Sequence, residues 1–492
     1  MITTGRVLAR NTVLNIIGQT LPMFAALISI PILIRNLGAS RFGILTLAWA
    51  AIGYFSLFDF GLGRALTQAV AERLGSNESR DDLGTVAWTA LLVMFAFGVV
   101  GGAVLAALAP WLVRGVLHVP PTLQPETVGT FYLLASSLPI VVATAGLRGL
   151  LEAHQDFGAA TLLRIPLAVF TFLAPLAVLP YSTHLVPIVA VLVVGRCITG
   201  AAHLLLCLRR YDYLRGRPRP DLKVMVPLLQ YGGWMTASNI ASPVMVYLDR
   251  FFIGAVLAMT AVAHYVTPYE IVTKLLIVPG AIIAVVFPAF ASSYVVDRTR
   301  TAALFERSLR MLIVMTFPVL LLIVVFAQEG LRLWVGASFA EASAPVLRWL
   351  ALGVFANSLA QAPFALLQGT GRPDITAKLH LIELPLYVLA LAWMAHAHGI
   401  VGVAIAWTVR VTLDAAILML LACRRLPADP AINRTLFTGT AALGLLAAGA
   451  MVEGAPSKII VIAASIPILA WVGWTHLLQP AEREFVRSWS HR

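Results

Sequence analysis

Long uninterrupted apolar runs, each followed by a few polar residues, dominate the chain. Residues 13–34, 42–63, 84–109, 128–149, 161–180, 184–208, 228–256, 264–290, 311–327, 345–367, 379–396, 399–422, 435–452 and 458–478 form fourteen of them. A hydrocarbon layer roughly 30 Å thick takes about 20 helical residues, so runs of this length read as membrane-crossing helices. They are continuous and lack period-two alternation, which sets aside a barrel. A helix then satisfies its own backbone groups in lipid. The pattern predicts an all-α polytopic membrane protein with about 14 transmembrane helices.

Composition agrees and adds an orientation. With 60% hydrophobic residues, 12% charged residues and a mean hydropathy of +0.88, the chain has too few polar side chains to coat a soluble core. The net charge of +12 raises the question of nucleic acid, yet the cations lie in short segments between apolar runs and form no soluble basic tract. With both termini placed in the cytoplasm, 25 of the 35 Lys and Arg fall in cytoplasmic segments and 6 outside. This asymmetry fixes the orientation and supports an even number of spans. The run after Arg6 and Arg10 continues to Ile34 without a cleavage site and reads as a retained first span, not a signal peptide. Cys197, Cys207 and Cys423 have no paired or metal-ligand spacing and read as free thiols.

Two segments repeat in order, six spans apart. Arg196 to Leu206 followed by Arg209-Arg210 matches Arg410 to Leu420 followed by Arg424-Arg425. Arg164-Ile165-Pro166-Leu167 matches Glu383-Leu384-Pro385-Leu386. An even offset gives copies of the same topology, the parallel type of transporter repeat. We therefore expect two pseudo-symmetric six-helix bundles, 1–208 and 228–425. A basic cytoplasmic linker, 209–227, would join them, and two appended spans with a tail, 426–492, would follow.

Catalytic chemistry finds no support in the residues. The longest expected external loops, 114–126 and 328–344, are too short to build the site of a membrane transferase or polymerase. Neither Lys223, Lys274, Lys378 nor Lys458 ends a glycine-rich phosphate loop. The ten histidines are scattered, and His396 and His398 fall in an expected external turn. No cofactor or metal is expected.

What remains is a set of charges at membrane depth, where an ionisable group is costly unless paired, hydrated or used. Asp59 and Arg64 end the second span and fall near the cytoplasmic interface, suited to a gate or an entry contact. Asp249 and Arg250 lie in the seventh span; Glu270 and Lys274 lie four apart in the eighth. Mutual neutralisation is one reading of these four, with Glu270 and Lys274 as an i,i+4 pair and Arg250 reaching Glu270. The other reading is a hydrated, cationic lumen. Arg196 and Arg410 occupy equivalent mid-span positions in the repeat. Asp414 offers Arg410 a local partner, whereas Gly200 stands in its place for Arg196. Arg250, Lys274, Arg196 and Arg410 together would attract an anion, and the arginine fork suits phosphate. Asn15, Gln19 and Asn239 are polar cavity candidates or helix-packing residues. Prolines such as Pro22, Pro31, Pro139, Pro166 and Pro385 mark kinks, and Gly98 with Gly102 reads as a small-residue contact between helices.

Several words in the chain also resemble a known family. They are Ile30-Pro31 to Gly38 with Phe42-Gly43, the run Phe58 to Thr67 (FDFGLGRALT), Tyr247-Leu248-Asp249-Arg250-Phe251, Val286-Phe287-Pro288-Ala289-Phe290 and Leu367 to Arg372. In this order they resemble the oligosaccharide-lipid flippases, the polysaccharide transporter branch of the multidrug, oligosaccharidyl-lipid and polysaccharide exporter superfamily. The resemblance implies two six-helix lobes around a cavity that opens alternately to cytoplasm and periplasm in a bacterial inner membrane. The implied cargo is a polyprenyl-pyrophosphate-linked oligosaccharide for O-antigen, capsule or exopolysaccharide, with other polysaccharide assembly proteins as further partners. It also implies coupling to H+ or Na+, for which Asp59, Asp249, Glu270 and Glu383 are the available acids. Alternatives are a peptidoglycan lipid-precursor flippase, a cation-coupled multidrug antiporter, which a cationic lumen disfavours, and, more distantly, a polyprenyl-dependent transferase or polymerase.

Overall fold

A computed structural model describes residues 5–54, 62–76, 80–154, 156–216, 221, 245, 247–452, 454 and 456–463. The regular structure among them is helical, with no strand. In chain order the helices are α1 (Gly5–Tyr54), α2 (Leu62–Ser76), α3 (Arg80–Trp111), α4 (Gln124–Ala153), α5 (Phe157–Val178), α6 (Leu185–Arg210) and α7 (247–256). Then follow α8 (Met259–Thr273), α9 (Ile277–Val296), α10 (Arg298–Val325), α11 (Ala327–Val335), α12 (Ala337–Gly369), α13 (Pro373–Cys423), α14 (Pro430–Ala450) and α15 (456–463). Nine stretches of the described residues are long and apolar enough to cross a membrane. The chain is an all-α polytopic membrane protein.

Two of the helices are double elements. A straight helix of 50 residues, the length of α1, would run about 75 Å, more than twice the hydrocarbon thickness. The break falls at Gly38, whose φ of 73° and ψ of 163° lie in a region that favours glycine. In α13 the break is Gly399, with φ 58° and ψ −139°. The chain doubles back there: His380 Nε2 lies 3.7 Å from Asp414 Oδ1, whereas a straight helix would hold them about 50 Å apart. Just beyond the turn, a Cβ on Gly402 would strike the carbonyl of Met394, so the arms close tightly.

Elsewhere the helices outrun the apolar runs. The expected span 311–327 begins at Arg298, and its first turns carry Glu306 and Arg310 into the interior. The expected loop 328–344 is mostly helical, formed by α11 and the start of α12. The expected turn at His396 and His398 is helix up to Gly399. Of the expected span 42–63, the described residues are 42–54 in α1 and 62–63 at the start of α2. Of the expected spans 228–256 and 458–478, the described residues are 245, 247–256 and 458–463.

The chain forms two compact units, Met1–Val266 and Thr267–Arg492, the division falling within α8. In the first unit α4 packs on α2, α3 and α6. A Cβ on Gly98 would strike Pro139, and one on Gly102 would lie 2.6 Å from the Ala135 carbonyl, so the α3 and α4 backbones meet through these glycines as predicted. The described part of FDFGLGRALT does similar work: Thr67 Oγ1 donates to the carbonyls of Gly63 (2.9 Å) and Gly149 (3.1 Å), drawing α2 onto α4. Beyond α6 the chain docks on this unit. Tyr211 stacks on His154 at 3.9 Å, Tyr213 Oη lies 2.9 Å from His154 Nε2, and Trp88 Nε1 donates to the Leu214 carbonyl at 3.2 Å. Burial pushes the Tyr211 phenol up to about 12, raises that of Tyr213 and holds the His154 imidazole below its usual range.

In the second unit α12 is the most buried crossing and packs on α9, α10, α11, α13 and α14. Gly353 admits the Trp407 ring, and Thr408 Oγ1 donates 2.7 Å to the Trp349 carbonyl. Glu306 accepts 2.9 Å from Thr435 Oγ1 and lies 3.9 Å from Arg310, fastening α10 to α14. At the end of α10, Lys458 Nζ donates 2.7 Å to Glu329 and ties α15 to α11.

Candidate functional site

The charged residues divide between the two units. In the first, Asp249 and Arg250 are both inside the protein, 0% and 3% exposed. Asp249 Oδ1 accepts from the Arg250 backbone N–H at 2.8 Å, and its Oδ2 accepts from Tyr265 Oη at 2.6 Å. The Arg250 guanidinium lies over the Tyr247 ring, 5.1 Å from its centroid. A buried carboxylate that accepts two hydrogen bonds is a settled arrangement. Arg250 is thus embedded among protein atoms.

Arg196, on α6 of the same unit, is half-buried and has no acidic partner among the described residues. Next to it, Gly195 receives the Phe170 ring and Gly200 packs on Ile140 and Thr144. The small neighbours let α6 approach α4 and α5 closely and leave the guanidinium the principal polar feature of that stretch. Asp59 and Asn239 lie outside the described residues. Asn15, Gln19 and Arg64 lie on α1 and α2, their side chains likewise outside what is described.

In the second unit, Glu270 and Lys274 form the anticipated i,i+4 pair at 3.1 Å, half-buried. Lys274 opens a 3-10 turn, Lys274–Leu276, between α8 and α9. The richest polar cluster sits inside the α13 hairpin. Arg410 Nη1 is 3.6 Å from Glu383 Oε2, and its guanidinium lies 5.1 Å from the Tyr387 ring centroid. Asp414 faces His380. One ligand atom from each of His380, Glu383 and Asp414 falls within 4.8 Å of the others. The hairpin thus gives Arg410 a partner from the other arm, Glu383, beyond the local Asp414 that helical spacing offered. His380 was missed. Its only sequence signal is its position one turn before Glu383 on the same face.

A separate cleft in this unit, about 140 Å³, is apolar and lies between α10, α12, α13 and α14, with Leu309, Phe355, Met419 and Leu436 among its walls. It contains none of the anticipated cations.

Two solved structures share this arrangement of helices. One is an inward-facing multidrug resistance MATE family transporter of the MOP superfamily, 16% identical, covering 85% of this chain and 96% of that one with a TM-score of 0.69. The other is the lipid II flippase MurJ in an inward closed conformation, 12% identical, covering 96% and 100% with a TM-score of 0.70. The chain is thus a polytopic membrane protein with the transporter fold of the MOP superfamily. Its sequence narrows the group: residues 8–294 match the polysaccharide biosynthesis protein family, and a Shigella flexneri protein described as an O-antigen transporter is 31% identical over 424 residues, 84% of this chain and 97% of that relative. The lipopolysaccharide biosynthesis protein WzxC of Escherichia coli is 25% identical over 77% of this chain and 73% of that relative. The chain belongs to the polysaccharide biosynthesis protein family.

Proposed function

We propose that this protein is a flippase. It moves a polyprenyl-pyrophosphate-linked oligosaccharide from the cytoplasmic to the periplasmic leaflet of a bacterial inner membrane by alternating access, for cell-surface polysaccharide. Both termini are cytoplasmic in this reading. The observation that carries it is the alignment with the O-antigen transporter along nearly the whole of that relative. The residues supply a chemical reason. A pyrophosphate is an anion that a guanidinium can hold bidentately, and Arg196 is a membrane-depth cation with no acidic partner among the described residues. We assign Arg196 the first phosphate contact and Arg410 a conditional one, released when its pair with Glu383 opens. Arg250 and Lys274 act as supporting charges, Lys274 held by its pair with Glu270 and Arg250 lying over the Tyr247 ring.

Deleting the gene and analysing lipid-linked sugars tests this reading. A completed oligosaccharide should accumulate on its lipid carrier while surface polysaccharide falls, and a plasmid copy should reverse both. Accumulation of a peptidoglycan precursor instead would move the protein to the other flippase class. Normal surface polysaccharide without accumulation would contradict transport of this cargo.

A further inference from the structure

On the flippase reading, we propose that Arg348, Lys458 and Glu329 form a second anion site at the external end of the second unit, one that takes the pyrophosphate of a headgroup presented in the outer leaflet. Cations on that side are scarce. Six are expected there, Arg35, Arg41, Arg114, Arg332, Arg348 and Lys458, on the face where membrane proteins carry the fewest. Three of the six fall on α11, α12 and α15, about the Glu329 carboxylate.

Helical periodicity explains the meeting. On α11, Ala327, Leu331 and Val335 are buried at one-turn spacing, which turns Glu329, Arg332 and Leu333 outward. Arg348 comes from α12, which packs on α11, and Lys458 comes from α15. The Lys458 side chain is 4% exposed and donates 2.7 Å to Glu329, which is half exposed. The hydrogen bond from Lys458, with the field of Arg348 added, holds the Glu329 carboxyl below the usual carboxylate range, so it is ionised at neutral pH.

Charge and donors both exceed what Glu329 can take. One carboxylate stands against an ammonium and a guanidinium, and Arg332, one turn along α11, adds a further cation. Glu341, two turns before Arg348 on α12, is exposed and makes no ion pair among the described residues. An ammonium has three N–H donors and a guanidinium five. Lys458 uses one of them, toward Glu329. Arg348 makes no hydrogen bond or ion pair among the described residues, and its Nε is buried. A buried donor without an acceptor is costly. Water would satisfy the donors and leave the charge. A phosphate satisfies both, since its oxygens match the guanidinium fork, and the half-exposed Glu329 marks the side from which it enters. On this assignment the site acts at the end of the passage, when the cargo reaches the outer leaflet.

A local probe reads this site apart from the contacts within the spans. Leu333, 86% exposed and one turn from Glu329, carries it. Leu333→Cys in the full chain is labelled in phosphatidylcholine vesicles with a membrane-impermeant, environment-sensitive maleimide, and the unsubstituted protein controls for the native cysteines. Inorganic pyrophosphate added outside should shift the fluorescence saturably. Arg348→Gln should weaken the apparent affinity by about 10- to 100-fold, and Arg348→Lys by less. Glu329→Gln should tighten it about tenfold, because the acid competes for the same cations; a Lys458 to Glu329 pair with a structural role alone would not do this. Geranyl pyrophosphate should compete, whereas dihexanoylphosphatidylglycerol should not. The proposal is overturned by the absence of a saturable response, by unchanged affinity in Arg348→Gln, or by unchanged or weaker affinity in Glu329→Gln, which keeps Arg348 intact and so reads the site even where Arg348→Gln fails to fold. Equal competition by the phosphatidylglycerol would give the site to bilayer phosphates and overturn the cargo assignment. Because binding is read without transport, each of these results leaves the flippase reading to the deletion experiment.

Discussion

Arg196 is where a single side chain has most to say about cargo. A charge-assisted, bidentate phosphate contact contributes about 1.5–3 kcal/mol, which corresponds to roughly 10- to 100-fold in affinity. Arg196→Ala should therefore lower surface polysaccharide at unchanged protein level, and Arg196→Lys should restore part of it, since lysine keeps the charge and loses the fork. Quantifying polysaccharide and membrane-inserted protein in the same cells checks this. Asp249 and Arg250 call for a different expectation. Because Tyr265 donates to a fully buried carboxylate, Tyr265→Phe leaves that carboxylate short of a donor and should destabilise the first unit by about 1–3 kcal/mol, measured as a lower unfolding midpoint of the purified protein. That these arginines sit at membrane depth was legible from the apolar runs around them. Which acids they meet was not, except within one helix. Glu270 with Lys274 follows from helical periodicity, whereas Arg410 with Glu383 depends on how two arms align across a turn.

Turns and close contacts decide the helical elements. Gly399 adopts φ 58° with open space where its Cβ would be, so the obstacle to substitution there is backbone strain alone. With ψ at −139° Gly399 lies outside the left-handed helical well that Asn tolerates, so Gly399→Asn and Gly399→Val should both lower the unfolding midpoint of the purified protein. A strained backbone of this kind costs about 1–3 kcal/mol. Gly98→Val is a contrasting case, since the added side chain strikes the α4 backbone at Pro139. Overpacking of this kind costs about 1–3 kcal/mol, and here it should separate α3 from α4. The segment after α6 should respond to pH through His154. Burial lowers its imidazole below the ordinary 6.5, so docking favours the neutral ring. The stabilisation is complete above about 6.5 and is lost as the pH falls below it and His154 takes up a proton. Trp88 fluorescence should report that release, and His154→Gln should abolish its pH dependence. The positions of most helices followed from hydropathy, because burial in lipid demands apolar residues on every face. Their ends did not. α10 begins at Arg298, well before its apolar run, because Glu306, Arg310 and Thr435 satisfy one another inside the protein. Hydropathy counts such polar residues as loop.

For the whole molecule, helix lengths and lipid physics lead to an all-α polytopic bundle, while the fold of MOP-superfamily transporters was implied by the resemblance and is shared with the solved structures. The tight reversal inside α13 falls at Gly399, beside the external turn expected at His396 and His398. The central claim is translocation of a lipid-linked oligosaccharide, and proteoliposomes test it most directly. The purified protein would be reconstituted with a fluorescent polyprenyl-pyrophosphate-linked oligosaccharide, and a membrane-impermeant reagent would destroy the sugar on the outer leaflet. The account predicts that nearly all of the lipid becomes accessible with the wild-type protein, and about half with Arg196→Ala or with protein-free vesicles. Equal accessibility with and without the wild-type protein would contradict it.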